Sequence, residues 1–283
     1  MAPHPSSSNG YGSLNGRSHN TTAPSSAIPD EESPLLPGDR SSALKQRWRH
    51  GLTADIRRDW TDLVLLVCYI ITGLLDSAAI STWGSFVSMQ TGNTIYLGLG
   101  LASPSTSTRW LKSGTSIAFF CLGSIFFSSF HRAFSPKRRW VLCASFLVQT
   151  AIIVAAAAIL QFAPMPDNPQ ASIGWTELVP IALIAFQSCG QAVTSRAVKH
   201  NALTSVVLTS IYLDLFSDVE LFAVRNVERN RRVAAPLLLL AGAVLGGTLA
   251  QSSAGFASAL WISAALKLGL VAAWFVWPAE TEE

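Results

Sequence analysis

Charge is what this chain has least of. Asp, Glu, Lys and Arg supply 13% of its 283 residues, against roughly 25% in a typical soluble domain. Together with 49% hydrophobic residues and a mean hydropathy of +0.36, that deficit argues against an ordinary soluble fold and for a multi-span membrane protein. The net charge of +3 comes from basic residues at the ends of apolar segments, not from one patch, so nothing points to nucleic acid. Cysteine is scarce too. Cys68, Cys121, Cys143 and Cys189 all fall inside apolar segments and none has CxxC spacing, which reads as buried thiols rather than disulfides or metal ligands. No apolar core long enough for a cleavable signal peptide occurs in residues 1–60. Catalytic constellations are missing as well. His131 and His200 are expected in connections, the other histidines lie in or near the N-terminal segment, and no P-loop or Gly-x-Gly-x-x-Gly run is found. An enzyme is therefore not expected, and no cofactor or metal site is implied.

Residues 1–59 are rich in Ser, Pro, Asn and Gly at their start, a composition that cannot bury enough apolar surface to fold, and are expected to form a disordered cytosolic tail. Within it, Glu31, Leu35 and Leu36 form a Glu-x-x-x-Leu-Leu pattern, resembling an acidic dileucine signal that a sorting adaptor would read. Asn20-Thr21-Thr22 is a glycosylation sequon by pattern, of consequence only if the tail is lumenal. Residues 60–278 are expected to form the transmembrane domain, with 279–283 a short acidic tail.

A helix of about 20 residues crosses the hydrocarbon core. Six segments qualify clearly: 62–80, 113–130, 140–162, 175–193, 235–252 and 256–277. Two more, 85–101 and 202–222, are long enough but more polar. The positive-inside rule decides between readings of these two. If all eight segments cross, the cluster Arg132, Lys137, Arg138 and Arg139 falls outside, with Arg196 and Lys199. If the two polar segments enter and return on one side, only Arg109 and Lys112 are misplaced. The expectation is an all-α polytopic bundle of six full spans and two membrane-embedded hairpins, its N-terminus cytosolic. Eight spans are the alternative. In the six-span layout each half holds three spans and one embedded segment. Three is odd, so the halves run in opposite senses, an inverted repeat of the kind found in transporters.

Asp76 lies inside the first span. A carboxylate at membrane depth costs about 2.5–3.5 kcal/mol on insertion scales and generally faces protein or water. It is either a helix-end carboxylate held by local hydrogen bonds or a proton- or cation-coupling group. The run Thr91-Gly92-Asn93-Thr94 supplies hydroxyls, an amide and a glycine. Gly92 would permit a backbone break whose freed amides bind a solute; alternatively Thr91 or Asn93 caps the apolar run after it. Gln187 and Gln191 are amides on a helix otherwise suited to lipid, serving either interhelical bonding or a polar pathway. Arg196 is an anion-binding or gating charge, or a positive-inside anchor. Thr209 stands in the second polar segment as the counterpart of Thr91. Asp214 and Asp218, four apart, would share a helical face. Lys267, deep in the last span, should face protein or water and is a candidate partner of Asp76. Gly242, Gly246 and Gly247 suit close helix packing. Trp261, Trp274 and Trp277 read as interfacial anchors.

The string Gly73-Leu-Leu-Asp76-Ser-Ala, followed by Gly84-Ser-Phe86-Val87-Ser-Met89-Gln-Thr91-Gly92-Asn93-Thr94, resembles the YoaK-like family of multi-pass membrane proteins. Gln187-Ser-Cys-Gly190-Gln191-Ala-Val-Thr-Ser195-Arg196, then Thr204-Ser-Val-Val-Leu208-Thr209-Ser210, is similar to its fungal members. The chain departs from the bacterial pattern at Ser77, at Gln90 and at Ser210, where glycine is usual. The resemblance covers about 60–277 and implies six to eight membrane helices, but no activity. On the residues themselves, the expectation is a permease for a small solute or ion, with proton coupling, in the plasma membrane or a vacuolar or endosomal one. The rival is a scaffold or sensor whose polar groups only hold its helices together.

Overall fold

The structure, a computed structural model, describes residues 51–280 apart from 58, 105–106, 164–173, 202 and 254, together with Ser42 and Gln46. The Glu31–Leu35–Leu36 motif, the Asn20 sequon and the last three residues lie outside the described residues. Contacts divide the chain into 1–42 and 43–283; the second unit is described below.

That unit is helical. Its main elements are α1 (Thr61–Trp83), α2 (Gln90–Ala102), α3 (Arg109–Ala133), α4 (Arg139–Phe162), α5 (Trp175–Ala197), α6 (Thr209–Phe216), α7 (Val227–Gln251) and α8 (Gly255–Val276). Six of them, all but α2 and α6, are long and apolar enough to cross a membrane. Each lies within a few residues of a span read from the sequence, apart from α7, which starts eight residues earlier, because an amphipathic first turn extends it. Asn226 caps that turn by accepting the Arg229 N–H at 2.8 Å, satisfying one of the amides every helix start leaves over.

Side-chain contacts sort the helix ends onto two sides. On one, Thr61 at the start of α1 meets the His200 ring, Oγ1 to Nε2 2.9 Å, just past the end of α5. There too Arg231 of α7 pairs with Asp62 at 2.8 Å, and Arg139 of α4 donates to the Gly51 and Trp277 carbonyls at 2.7 and 2.5 Å. Residues 55 and 56 form isolated antiparallel bridges with Arg138 and Ala279, clasping the two ends of the domain. On the opposite side, Lys112 of α3 pairs with Glu177 of α5 at 2.6 Å, and Trp261 of α8 donates to Gln161 of α4 at 2.8 Å. Every long helix therefore runs from one side to the other.

The two short helices do not. After α1, Gly84 takes a left-handed conformation (φ 72°) that turns the chain back along α1. By Ser88 it has descended to the level of Asp76, seven residues or about 10 Å below Trp83. α2 then climbs back, and Gly100 packs against Trp110 at the start of α3. The second hairpin is entered past Lys199 and Ser205, both left-handed (φ 62° and 61°), and α6 returns to the side it left, where Asp218 meets Arg232 at 3.1 Å. The break in the first hairpin is thus at Gly84 and not at Gly92. Gly92 lies inside α2, where an added Cβ would meet Phe86 and Met89 side chains at 2.8 Å. Its smallness lets the two limbs close. Ser210, likewise, is helical.

Helix pairing follows an internal two-fold relation. Exchange α1 with α5, α2 with α6, α3 with α7 and α4 with α8. The α1–α7 contact then becomes α5–α3, α2–α3 becomes α6–α7, α4–α5 becomes α8–α1, and α1–α5 and α4–α8 map onto themselves; all are present, and only the α7–α8 contact lacks a comparable α3–α4 counterpart. The innermost helices, α1 and α5, correspond, as do the most peripheral, α3 and α7. Since α1 and α5 run in opposite senses, the repeat is inverted.

Glycine sets the tightest crossing. A Cβ at Gly242 or Gly246 of α7 would collide with the Ile70 or Leu74 carbonyl of α1, and one at Gly73 with that of Leu239. Lipid supplies no hydrophobic drive between helices, so such backbone approach is a main source of association. Gly247 faces open space and takes no part. Other expectations are corrected. Trp274 is fully buried in the core and is no interfacial anchor. Cys121 is exposed while the other three cysteines are buried. α6 ends at Phe216, so Asp214 and Asp218 do not share a helix; Asp218 pairs with Arg232 and Asn226 instead.

Candidate functional site

Between the tips of the two hairpins lies a cavity of about 380 Å³. The first hairpin contributes Ser88, Gln90 and Thr91, the second Thr204, Val206, Val207 and Ser210. Phe120 and Ser124 of α3, Cys189, Ala192, Val193 and Arg196 of α5, and Asn201 complete the wall. Hydroxyls and amides share it with apolar side chains, and among the described residues Arg196 is its one charged group and no carboxylate lines it. Arg196 forms no ion pair among the described residues. Arg196 and Asn201 of its wall are exposed, as are Thr91, Val207 and Ser210, whereas Ser88, at the first hairpin's tip, is buried.

Asp76 stands directly behind that tip. One oxygen accepts the Val87 and Ser88 N–H groups, each at 2.8 Å, and the other accepts the Ser88 hydroxyl. Three donors therefore fix the returning limb to α1, and charge-assisted bonds of this kind are about twice as strong as neutral ones. Asn93 performs the matching task within the hairpin. Its oxygen accepts the Phe86 N–H at 3.0 Å and the Ser85 hydroxyl at 3.1 Å; its amide donates to the Phe86 carbonyl at 2.7 Å and to Ser116 Oγ at 3.0 Å. Asn93 is fully buried. Neither it nor Thr91 caps α2, whose N-cap position is Met89 and carries no side-chain cap.

A second polar group lies deeper, away from the cavity mouth. Lys267 is fully buried near the middle of α8 and donates to Gln149 Oε1 of α4. Gln149 Nε2 donates to Ser145 Oγ at 3.3 Å, and Ser145 Oγ meets His131 Nε2 at 3.3 Å. All four side chains are buried, so the chain of bonds runs from the bundle centre through α4 to the last turn of α3. Lys267 also stands 5.4 Å from the Phe146 ring centroid, and its ionisable neighbours are the Cys68 and Cys189 thiols. It does not meet Asp76, whose oxygens are taken by the hairpin. Beside this chain, Gln191 Nε2 donates to Thr72 Oγ1 at 2.5 Å and Gln187 Nε2 to Ser188 Oγ at 3.1 Å. The buried oxygens of Gln187 and Gln191 have no hydrogen-bond donor among the described residues, unusual for polar atoms shut away from water.

The sequence-derived candidates thus separate into groups. Thr91 and Arg196 line the cavity; Asp76, Gly92 and Asn93 build the hairpin that bounds it; Gln187, Gln191 and Lys267 belong to the inner polar belt. Thr209 begins α6 but is exposed and outside the cavity wall. Sequence reasoning missed Ser88, Gln149 and His131, and named Thr204 only as part of the second polar segment. His131 lies buried in α3, not in a connection. Gln149 had a readable signal, an amide in the middle of an apolar span; Ser88 had none, since a lone hydroxyl is ordinary.

No curated protein and no solved structure matches the chain. The region from α1 to α8 that builds both hairpins, the cavity and the polar belt is matched, over residues 64–273, by one family model. The chain belongs to that family, described as Protein of unknown function (DUF1275).

Proposed function

We propose that this protein is a permease for a small solute or ion and not an enzyme. The observation that carries the reading is the polar cavity held between the tips of two oppositely oriented hairpins. Broken, polar segments meeting at the interface of an inverted repeat are how secondary transporters place a binding site inside the bilayer. Alternating access then consists of the halves rocking about that site. The cavity here is open on the side of Arg196, its wall is also exposed at Thr91, Val207 and Ser210, and Ser88 of the first hairpin is buried. Arg132, Arg138, Arg225 and Arg229 crowd that open side by sequence position, so under the positive-inside rule it is cytosolic, as is the N-terminus. Proton coupling, if the solute is driven, falls to Lys267: it is an ionisable group buried at membrane depth, for which a functional role is the default reading. Asp76 serves the hairpin. The strings at 73–94 and 187–210 favour a place among the YoaK-like, fungal-type members.

The test uses the full-length protein in proteoliposomes. Single cysteines replace Thr91 and Asn201 in a chain freed of its native four. A transported solute, found by a thermal-shift screen, is expected to change alkylation at the two positions in opposite directions and to accumulate in the vesicles. No accumulation and no change at either position for any solute tested would return the protein to the scaffold reading.

A further inference from the structure

We infer that the cavity binds an anion, a small oxyanion or carboxylate, through Arg196; this deepens the permease reading and rests on it. Among the described residues Arg196 is the charged group of the wall, it has no ion-pair partner, and no acidic side chain lines the space it faces. A guanidinium presents several N–H donors in a planar fork that matches carboxylate and phosphate oxygens. The remaining polar lining suits the same guest. Thr91, Ser124, Thr204 and Ser210 offer hydroxyl donors and Asn201 an amide N–H group, while the Ser88 hydroxyl is given to Asp76 and the Gln90 amide to Val87 and Ser116. Hydroxyls and amides serve a cation through their oxygens equally well, but a cation would have Arg196 against it and no carboxylate for it.

The backbone points the same way. α2 and α6 both begin at the cavity, through Gln90 and Thr91 on one side and Ser210 on the other. Neither start has a side-chain cap, and neither first turn contains an acidic residue. Each helix start contributes partial positive charge. The nearest carboxylates are turned to other work. Asp76 lies behind Ser88 and is bonded to the first hairpin; Asp214 is exposed in the second half of α6. A space of about 380 Å³ accommodates an inorganic oxyanion or a short-chain carboxylate. A phospholipid phosphate has the same chemistry, so free anion and headgroup must be separated experimentally.

The experiment follows alkylation of Thr204→Cys, in an otherwise cysteine-free full-length chain, under sodium chloride, nitrate, acetate, sulfate and phosphate at constant ionic strength. Measurements are made in detergent and in bilayers of zwitterionic or anionic phospholipid. At least one free anion is expected to protect the cysteine saturably. Arg196→Gln should weaken that protection by about ten- to a hundredfold, the usual range for losing a charged hydrogen-bonding partner. Arg196→Lys should restore part of it, and Lys199→Gln, on the same side but outside the cavity wall, should leave it unchanged. Melting curves verify that each variant is folded. Protection by no anion, or equal protection in Arg196→Gln, overturns the inference, as does protection by anionic phospholipid alone. Uptake is scored separately. Anion binding without uptake rejects the permease and leaves the anion site standing, whereas uptake of a cation or neutral solute with no anion protection rejects the anion site and leaves the permease.

Discussion

Asp76, the most conspicuous residue of the sequence, is explained by its three donors. A carboxylate deep in an apolar helix is tolerable because Val87 and Ser88 of the returning limb satisfy it. Asp76→Asn keeps the volume but loses the charge and turns one acceptor into a donor, so a drop in stability of about 1–3 kcal/mol is expected, read as a lower Tm in detergent. Asn93→Ala removes both an acceptor and a donor from the buried hairpin and should cost a similar amount. An unchanged Tm in both would show that the hairpin is held by something else. Lys267→Met should behave differently. It replaces an ionisable group held at membrane depth with an apolar chain of similar length, and the Gln149 oxygen left without its donor costs about 1–3 kcal/mol against that relief. The expected result is a folded protein whose uptake has lost its dependence on an imposed pH gradient; a pH response equal to that of the wild type would remove Lys267 from the mechanism. The sequence exposed the anomaly of each residue, because an ionisable side chain in an apolar run is visible in one dimension. Partners were not visible. Lys267 and Gln149 are 118 positions apart, and nothing local distinguishes that pairing from one with Asp76.

At the scale of elements, the long helices were legible because hydrocarbon demands apolar runs of a minimum length. The hairpins were legible in outline, from polar composition and from the placement of Lys and Arg, yet their internal construction was not. Gly92 drew attention as the break, while the break is at Gly84, because glycine serves left-handed backbone and close packing alike and its residue type does not tell which. The same ambiguity held for the α7 glycines, where the structure separates Gly242 and Gly246, pressed on α1, from Gly247. Leucine at 242 or 246 should force α7 off α1. Overpacking typically costs about 1–3 kcal/mol, and direct collision with backbone carbonyls places these variants at the upper end. Gly247→Leu should melt within a degree or two of the wild type, roughly the effect of a surface change. Similar losses at all three positions would contradict the crossing geometry.

For the whole molecule, the inverted arrangement makes a plain topological claim. Single cysteines at Arg109 and Lys137 should label from opposite sides of the membrane, Arg109→Cys from outside and Lys137→Cys from the cytosolic side, in sealed vesicles of known orientation. Labelling of Lys137→Cys from outside would remove the six-span arrangement. By itself the sequence determined the class, the positions of six spans, the two exceptional segments and, through charge asymmetry, the opposed halves. Those properties follow from the solvent. A bilayer imposes length and polarity on every segment separately, so each segment's own composition records the constraint. Only the tertiary structure decided which polar groups satisfy one another, which residues line the cavity and which glycines are crossed by a neighbour. Hydrogen bonds and close contacts join residues far apart in the chain, and a hydroxyl or amide is compatible with many partners until the backbone brings one within reach. Arg196 shows both halves of this. Its charge near a helix end was plain from the sequence, while its position facing an acid-free cavity between two helix starts exists only in the folded chain.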